Sequence, residues 1–481
     1  MKRKFFTNLI LLLTINVLVK PFWLFGIDRT VQVVTGDAYG LYYSLLALSL
    51  TLNILLDLGI TNYNNRNIAR YNHLLPKHLG NILGIKFILG ILYSVICIAT
   101  GFIIGYDKVQ LHLLLFLIFN QFLLQMILYL RSNLSALHLF TTDSLVSVLD
   151  RVFMIIISGL LLFTNISGGV FKIEWFVYIQ TISYVLAAVI IFFIVLKKAG
   201  KIKISFNLNF SIIFLKKTFP YAILILLMAF YNRFDTVLIE RLLPGNEGDH
   251  QVSLYAHGFR LLDAVSMFGV LFAGMLLPIF SRMIKTKQKV GEMVMFSFSL
   301  LIFISLSLSV ASFFYRNEIM GWLYKDYIIE SAPIFATLMF GFIPISTTYI
   351  FGTLLTANGS IRELNIMAAI GMTINITLNL ILIPTYHAQG AAIVSLFTQF
   401  LTAIAQVIIA VRIFKFKIKW PFLLKLLAFS ACLVVLGIAC RYIPNPIIGL
   451  LTLIASSTIT AFAVGLINIK NLYSILIDRE S

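Results

Sequence analysis

Leu113–Leu130 reads LLLFLIFNQFLLQMILYL, eighteen residues without a single charge and with Asn120, Gln121 and Gln125 as the side-chain amides. A helix of that length rises about 27 Å at 1.5 Å per residue, close to the ~30 Å hydrocarbon core of a bilayer. A strand of a membrane barrel would alternate apolar and polar positions, and this run does not. Outward from it the same texture recurs along the chain. Of 481 residues 60% are hydrophobic and 12% are charged, whereas a soluble domain carries roughly one-quarter charged residues. The sequence therefore specifies an all-α membrane protein and excludes a water-soluble fold.

Dividing the apolar runs at polar and Pro/Gly clusters predicts about fourteen transmembrane helices. They start near Thr7, Ala38, Leu79, Leu111, Ser144, Ile173, Thr218, Val252, Met293, Ala332, Asn365, Gly390, Phe422 and Ile447. Lys2, Arg3 and Lys4 precede an apolar stretch that no small-residue cleavage site follows, so this segment reads as a retained first helix with its N-terminus in the cytoplasm. On that topology the inner loops hold Arg66, Arg70 and Lys77, then Lys197, Lys198, Lys201, Lys203, Lys216 and Lys217, then Arg282, Lys285, Lys287 and Lys289, and last Arg412, Lys415, Lys417 and Lys419. The outer loops are poor in cations, and PGNEGDHQ from Pro244 has none. Shifting the count by one helix would destroy this asymmetry, so an even number of spans and two cytoplasmic termini support each other.

The net charge of +18 follows from these loop clusters. Nucleic-acid binding would gather the cations on one polar face, and they are not so gathered. Three cysteines, Cys97, Cys432 and Cys440, lie inside apolar runs without metal-ligand spacing, which argues against a disulfide framework and a zinc site. The longest inner connector, Lys197 to Lys217, either marks a seam between halves resting on anionic headgroups or is an ordinary topogenic loop. The expected organisation is a first six-helix bundle over 1–200, a basic cytoplasmic linker over 201–217, a second six-helix bundle over 218–413, and two further helices with a cytoplasmic tail over 414–481.

Two stretches suggest a repeat across that seam. YGLYYSLLALSLTLNILLDLGITNYNNRNIAR from Tyr39 and VSLYAHGFRLLDAVSMFGVLFAGMLLPIFSRM from Val252 both begin near a Leu-Tyr step and end in polar and arginine residues. Each is the second span of its half and both run inward, so the halves are expected to be parallel repeats, with chance alignment of apolar sequence as the competing explanation. Transport substrates bind near the midplane between such repeats.

Ionised side chains at bilayer depth cost several kcal/mol, so they point inward or pair. Lys20, Asp57, Lys86, Asp150 and Arg151 fall within first-half spans; Arg233, Asp235, Glu240, Arg241, Arg260 and Asp263 fall within the seventh and eighth. Arg260 and Asp263, three apart, share a helix face, as do Arg233 and Glu240, while Arg233 and Asp235 diverge. Each is read either as an interhelical ion pair or as part of a ligand site, and Lys20 either as snorkelling to the outer headgroups or as facing a cavity. Cations lining a wet cavity suit a diphosphate, which a guanidinium grips with two parallel hydrogen bonds. No metal-binding histidine pair, phosphate-cradling glycine loop or nucleophile elbow occurs, so neither catalysis nor a cofactor is expected; His73, His78 and His138 read as interfacial.

Six stretches carry a resemblance: LLDLGITNYNNRNIAR at Leu55, SVLDRVFMIIISGLLL at Ser147, NRFDTVLIERLL at Asn232, LYAHGFRLLDAV through LLPIFSRM from Leu254, LLTANGSIRELNIMAAIGMTINITLNLILIP at Leu354, and QGAAIVSLFTQ after it. In order and spacing the chain resembles a bacterial polysaccharide or O-antigen flippase of the multidrug/oligosaccharidyl-lipid/polysaccharide exporter superfamily. The resemblance implies two six-helix bundles forming a V, with two C-terminal helices added. It implies movement of an undecaprenyl-diphosphate-linked oligosaccharide across the bacterial inner membrane by alternating access, for cell-surface polysaccharide and lipopolysaccharide O-antigen biosynthesis. Basic residues of the first and eighth spans would then meet the diphosphate; Arg260 matches the eighth-span arginine, and Lys20 is a loose positional match in the first. The second bundle has few acids, a departure that leaves the ion-coupling carboxylate unassigned.

The expected substrate site thus comprises Arg260, Arg233 and Lys20 with Asp263 and Asp235. Expected partners are the lipid-diphosphate-linked oligosaccharide, membrane lipids, Na+ or H+ as coupling ion, and glycan polymerase and assembly proteins, with no nucleic acid. A multidrug cation antiporter of the same superfamily is the rival reading, kept open by Asp57, Asp235 and Asp263. A membrane glycan polymerase or ligase is a third, and it would need an outer catalytic loop longer than the fifteen-residue segment from Arg316 to Glu330.

Overall fold

The computed structural model describes residues 2–35, 42, 45–46, 48–50, 52–164, 171–200, 208–243, 246–324, 327–417 and 420–467, with side chains placed for all of these but 2–6, 24–25, 32–33, 208–209, 232–233, 240, 246 and 249. Among the described residues every regular element is helical. Twelve helices are long and apolar enough to cross a membrane, from Thr7–Val31 to Pro446–Ala463. The sixth begins at Ile173 as expected, and the eighth and ninth at His250 and Gly291, two residues early.

The helix Ile361–Phe414 has 54 residues and would extend about 81 Å if straight. It is not straight: His387 adopts φ 53° and ψ −138° and reverses the chain. The eleventh and twelfth spans, 361–386 and 388–414, therefore meet at a single residue. The second expected span is described in part, as helical residues at 42, 45–46 and 48–50, a 3-10 turn Asn53–Leu56 and the helix Ile60–Arg70. With these two points allowed for, the expected count of about fourteen holds.

The chain forms two compact units, Lys4–Ile223 and Leu224–Ser481, the latter taking in Met1–Arg3. In the first unit the fourth span, Lys108–Ala136, is the hub, packed by the second, third and sixth. Its start is fixed by a capping box, in which Asp107 accepts from the Gln110 amide at 2.8 Å and Gln110 Oε1 accepts from the Asp107 amide at 2.9 Å. Tyr93, Tyr129 and Phe176 are fully buried around it. Asn53 and Asn64 bond to Gln121 and Asn133 respectively, so the second and fourth spans run in one direction. Thr141 donates to Asn8 and Asn16 donates to Ser147, which sets the first and fifth spans parallel in the same way. These directions are the ones that an alternating topology requires.

In the second unit the tenth span, Ile328–Asn358, is the hub, packed by the eighth, ninth and the Ile361–Phe414 pair. A Cβ added at Gly258 would lie 2.8 Å from Phe335 Cα, and one at Gly269 would lie 2.0 Å from Tyr349 Cδ2. Bare backbone at these two positions lets the eighth and tenth helices touch. Gln389 donates to Thr337 at 2.9 Å and Gly352 abuts Gln406, so the tenth and twelfth run parallel. The second, fourth and sixth spans of one unit thus correspond to the eighth, tenth and twelfth of the other, in two pseudo-symmetric six-helix bundles. Trp420–Cys440 and Pro446–Ala463 pack on each other and on the ninth span.

Two spans carry local breaks. Pro21 cannot donate a backbone hydrogen bond, and directly after it Phe22–Asp28 winds as a π-helix. In the second span Leu58 (φ 43°) and Gly59 (φ 76°) leave the helical region. Gly59 is required twice over there, by its left-handed backbone and because a Cβ would meet Tyr221 Cβ at 2.7 Å.

Candidate functional site

The second unit contains a buried carboxylate surrounded by neutral groups. Asp235 is inaccessible to solvent and accepts hydrogen bonds at 2.8 Å from the Tyr255 hydroxyl and at 2.8 Å from Asn379 Nδ2. Asn379 Nδ2 also reaches Asn375 Oδ1 at 3.1 Å, and Asn375 and Ser395 complete the ring around the carboxylate. Asn375 and Asn379 lie one helical turn apart on the eleventh span, Ser395 on the twelfth and Tyr255 on the eighth. Two atoms of this nest, Asn375 Nδ2 and Asn379 Oδ1, are buried without a hydrogen-bond partner. A buried ion needs a counter-charge or a proton, and no cation contacts Asp235 among the described residues. The oxygens of Asp235, Asn375, Asn379, Ser395 and Tyr255 are hard ligands of the kind that hold an alkali cation. A proton on the carboxyl would serve equally.

The first unit contains a cluster of charged groups. Lys20 is half-buried in the first span, within electrostatic reach of Arg131, Arg151 and Asp150. Among the described residues no hydrogen bond or ion pair reaches its ammonium. Arg131 donates to Asp143 at 2.8 Å. Arg151 lies 3.5 Å from Asp150 and its guanidinium covers the Trp23 ring at 5.4 Å. Tyr42, hydrogen-bonded by Gln180 at 2.8 Å, sits near both Asp28 and Arg151. Three cations, Lys20, Arg131 and Arg151, and three acids, Asp28, Asp143 and Asp150, thus gather along the first, fourth and fifth spans. Asp28 ends the π-helical segment, so the break after Pro21 also aims a carboxylate.

A second intramembrane charge in that unit is fully compensated. Lys86 is 2% exposed and bonds Asp57 Oδ1 at 2.7 Å, while its ammonium also reaches the Leu56 carbonyl at 3.4 Å and lies 5.5 Å over the Tyr129 ring. The pair seals the broken backbone of the second span and is structural.

Of the five residues expected from the sequence, Asp235 and Lys20 take the places just given. Arg260 is exposed on the eighth span of its unit, electrostatically close to His257 and in no ion pair among the described residues. Asp263 is half-buried and interacts with Tyr255 electrostatically. The helix position of Arg233 is described, but its side chain and that of Glu240 lie outside the described side chains, so the Arg233–Glu240 expectation lies outside them too. Asp235, Tyr255 and Asp263 come together around one hydroxyl; Asp235 has neutral partners where a salt bridge was one expectation. Sequence reasoning passed over Arg131, Asn375, Asn379, Ser395 and Tyr255. The TINITLN string held a signal: two asparagines four apart on an apolar helix lie on one face.

Two helical bundles built as parallel repeats, each with a polar nest inside, make up a polytopic membrane-protein fold. Solved structures agree on that fold. The bent form of the Vibrio cholerae MATE transporter VcmN matches with a TM-score of 0.68 at 13% identity, over 86% of this chain and 97% of that one. An outward-facing multidrug-resistance MATE transporter of the MOP superfamily gives 0.70 at 13% identity over 86% and 96%. A MOP superfamily transporter from Pyrococcus furiosus, described by a reverse polarity of its binding pocket, gives 0.68 at 13% over 86% and 96%. No curated protein matches this sequence. Residues 5–284, more than half of the chain, match the polysaccharide biosynthesis protein family, and the chain belongs to that family.

Proposed function

We propose that the protein carries a lipid-diphosphate-linked oligosaccharide from the cytoplasmic to the periplasmic leaflet of the bacterial inner membrane by alternating access of its two bundles, for assembly of a surface polysaccharide such as O-antigen. The observation that carries this reading is the half-buried Lys20, which no hydrogen bond or ion pair reaches among the described residues, beside Arg131 and Arg151 inside an apolar bundle. A charge at that depth costs about 2.5–3.5 kcal/mol on insertion scales, and an anionic guest offsets the cost. Lys20 and Arg260, with Arg233, are assigned to neutralising the diphosphate while the prenyl tail stays in lipid. The bundle boundaries are those read from the sequence, with 201–217 as the connector; glycan polymerase and assembly proteins are the partners that would take the product onward.

Coupling is assigned to Asp235. An anionic nest to which no described residue supplies a cation is suited to Na+ or H+, and occupancy changes the net charge of the second unit by one. Asp235→Asn keeps the shape and most hydrogen bonds of the site but removes the charge. Purified Asp235→Asn in vesicles is expected to fold and to lose the dependence of substrate movement on a Na+ or proton gradient; retained dependence removes Asp235 from the mechanism. Lys20→Ala and Arg260→Ala are each expected to lower glycan export in cells by tenfold or more, and unchanged export with either removes that residue.

The same nest also favours a second reading, a multidrug cation antiporter, since such a pump needs an exchangeable cation at a carboxylate. Efflux of cationic dyes from a pump-deficient strain discriminates. The flippase reading expects none, because the cations assigned to the substrate, Lys20 and Arg260, repel a cationic dye.

A further inference from the structure

The polar surroundings of Asp235 do not end at Ser395. From that residue the twelfth span carries Thr398, Thr402 and Gln406 at steps of three and four, which is one face of a helix. All four are buried, none more than 4% exposed. The eleventh and seventh spans line the same face. Gly371 lies one turn before Asn375, and a Cβ there would lie 2.8 Å from Thr402 Cγ2 and 3.9 Å from Thr398 Cγ2. Tyr231 lies four residues before Asp235, and its buried hydroxyl is within hydrogen-bonding reach of Thr402. At the far end a Cβ on Gly352 of the tenth span would lie 2.6 Å from Gln406 Oε1. The column from Ser395 to Gln406 is about 16 Å long at 1.5 Å per residue, and the exposed Arg412 stands less than two turns further on.

A threonine on an apolar helix ordinarily returns its hydrogen bond to a carbonyl three or four residues back. Thr402 does so, donating to the Gln399 carbonyl at 3.1 Å. Thr398 does not: its hydroxyl is buried without a partner, as are Gln406 Oε1 and, in the nest itself, Asn375 Nδ2 and Asn379 Oδ1. Each such orphan costs about 1–3 kcal/mol, and buried groups of this kind are satisfied by ordered water. Successive members of the column are one helical turn apart, roughly 5–6 Å between Cβ atoms, a gap that a single bridging water closes. Helices that touch at Gly371 and Gly352 suit a file of single waters better than an alkali cation with its hydration shell. Asp235, which no solvent reaches, needs such a route if it is to gain and lose a proton during transport.

We propose that Ser395, Thr398, Thr402, Gln406 and the Tyr231 hydroxyl hold a file of ordered waters along the twelfth span, and that Asp235 exchanges its proton with the aqueous phase at the Arg412 end through that file. Each water or hydroxyl accepts a proton on one side and releases one on the other, so no bond other than O–H is made or broken. The inference rests on the coupling role given to Asp235 and takes the proton as the ion. The test is time-resolved infrared spectroscopy of the purified full-length protein in detergent after a pH jump, following the carboxyl band that Asp235→Asn lacks. In the wild type this band is expected to respond to pH. Thr398→Val/Thr402→Val, which removes both hydroxyls, is expected to slow the response roughly tenfold or more with its pH midpoint unchanged, and Gln406→Leu to slow it about threefold. Thr398→Ser, which keeps a hydroxyl, is expected to retain the wild-type rate. So is Thr373→Val, which removes an exposed hydroxyl bonded to its own helix at Ala369. Thermal unfolding in the same detergent reports whether each variant is folded; should the valine pair unfold, Gln406→Leu decides. A wild-type rate in the folded variants, equal slowing in Thr373→Val, or a band that answers Na+ but not pH would each overturn the proposal. Slowing in the valine pair while Asp235→Asn keeps its gradient dependence in vesicles supports the water file and removes the coupling role; a wild-type rate in the pair with gradient dependence lost in Asp235→Asn does the reverse.

Discussion

Lys86 and Asp57 show how a membrane protein tolerates buried charge. Each stands out in the sequence as an ion at forbidden depth, but 29 residues separate them and nothing in the string announces their pairing. The contact depends on the turn at Leu58–Gly59, which also lets Thr61 donate to Asp57 from its amide and hydroxyl. Lys86→Met leaves Asp57 ionised without its partner, and the expected cost is roughly 3–5 kcal/mol. Lys86→Met/Asp57→Asn is expected to recover most of that loss. Thermal unfolding in detergent of the single and double variants measures both, and a single variant as stable as wild type would refute the structural role. Asp235 was legible for the same reason as Lys86, as a charge in an apolar run. Its nest was not, because Asn375, Asn379 and Ser395 are neutral residues from helices more than a hundred positions away.

Helix number and placement were legible because burial in lipid demands uninterrupted apolar runs; most spans start within four residues of the expected position, but the third and seventh begin at Asn72 and Phe210 instead of near Leu79 and Thr218. The breaks were harder to read. Pro21 is visible as a proline, but the π-helical turn after it, the left-handed Leu58–Gly59 step and the reversal at His387 arise from tertiary contacts. The close approach of the eighth and tenth spans is testable through its glycines. At Gly258 a methyl group meets backbone, which cannot swing aside; at Gly269 it meets the Tyr349 ring, which can. Gly258→Ala is therefore expected to cost roughly 1–3 kcal/mol and Gly269→Ala less, and the reverse order of melting temperatures would contradict the packing. At His387 a side chain occupies backbone space that suits glycine. His387→Gly is expected to raise stability by about 1 kcal/mol through relief of strain, the weak exposed contact to Glu247 notwithstanding.

For the molecule as a whole, the proposed connector between bundles is 201–217, and internal contacts group the residues as far as Ile223 with the first unit. That grouping has a local cause. Phe214, Thr218 and Tyr221 are buried, and against them lie Tyr63 and Gly59 of the first unit. The helix Leu208–Arg233 thus begins as part of one bundle, a fact that composition cannot reveal. A fragment ending at residue 224 is expected to resist thermal aggregation better than one ending at 203, which lacks those side chains, and equal resistance would show that they do not stabilise the first unit. The parallel repeat was faintly legible through two Leu-Tyr steps, and Tyr42 and Tyr255 are both buried in the units that contain them. The one-residue reversal at His387 has a mechanical corollary. Its two arms, which carry Asn375 and Asn379 on one side and Ser395 on the other, are joined like the prongs of a tuning fork with almost no slack at the base. On the proposed coupling role, loading or emptying the pocket around Asp235 is expected to deflect both prongs together, so that a small push at that depth arrives at their far tips as a displacement.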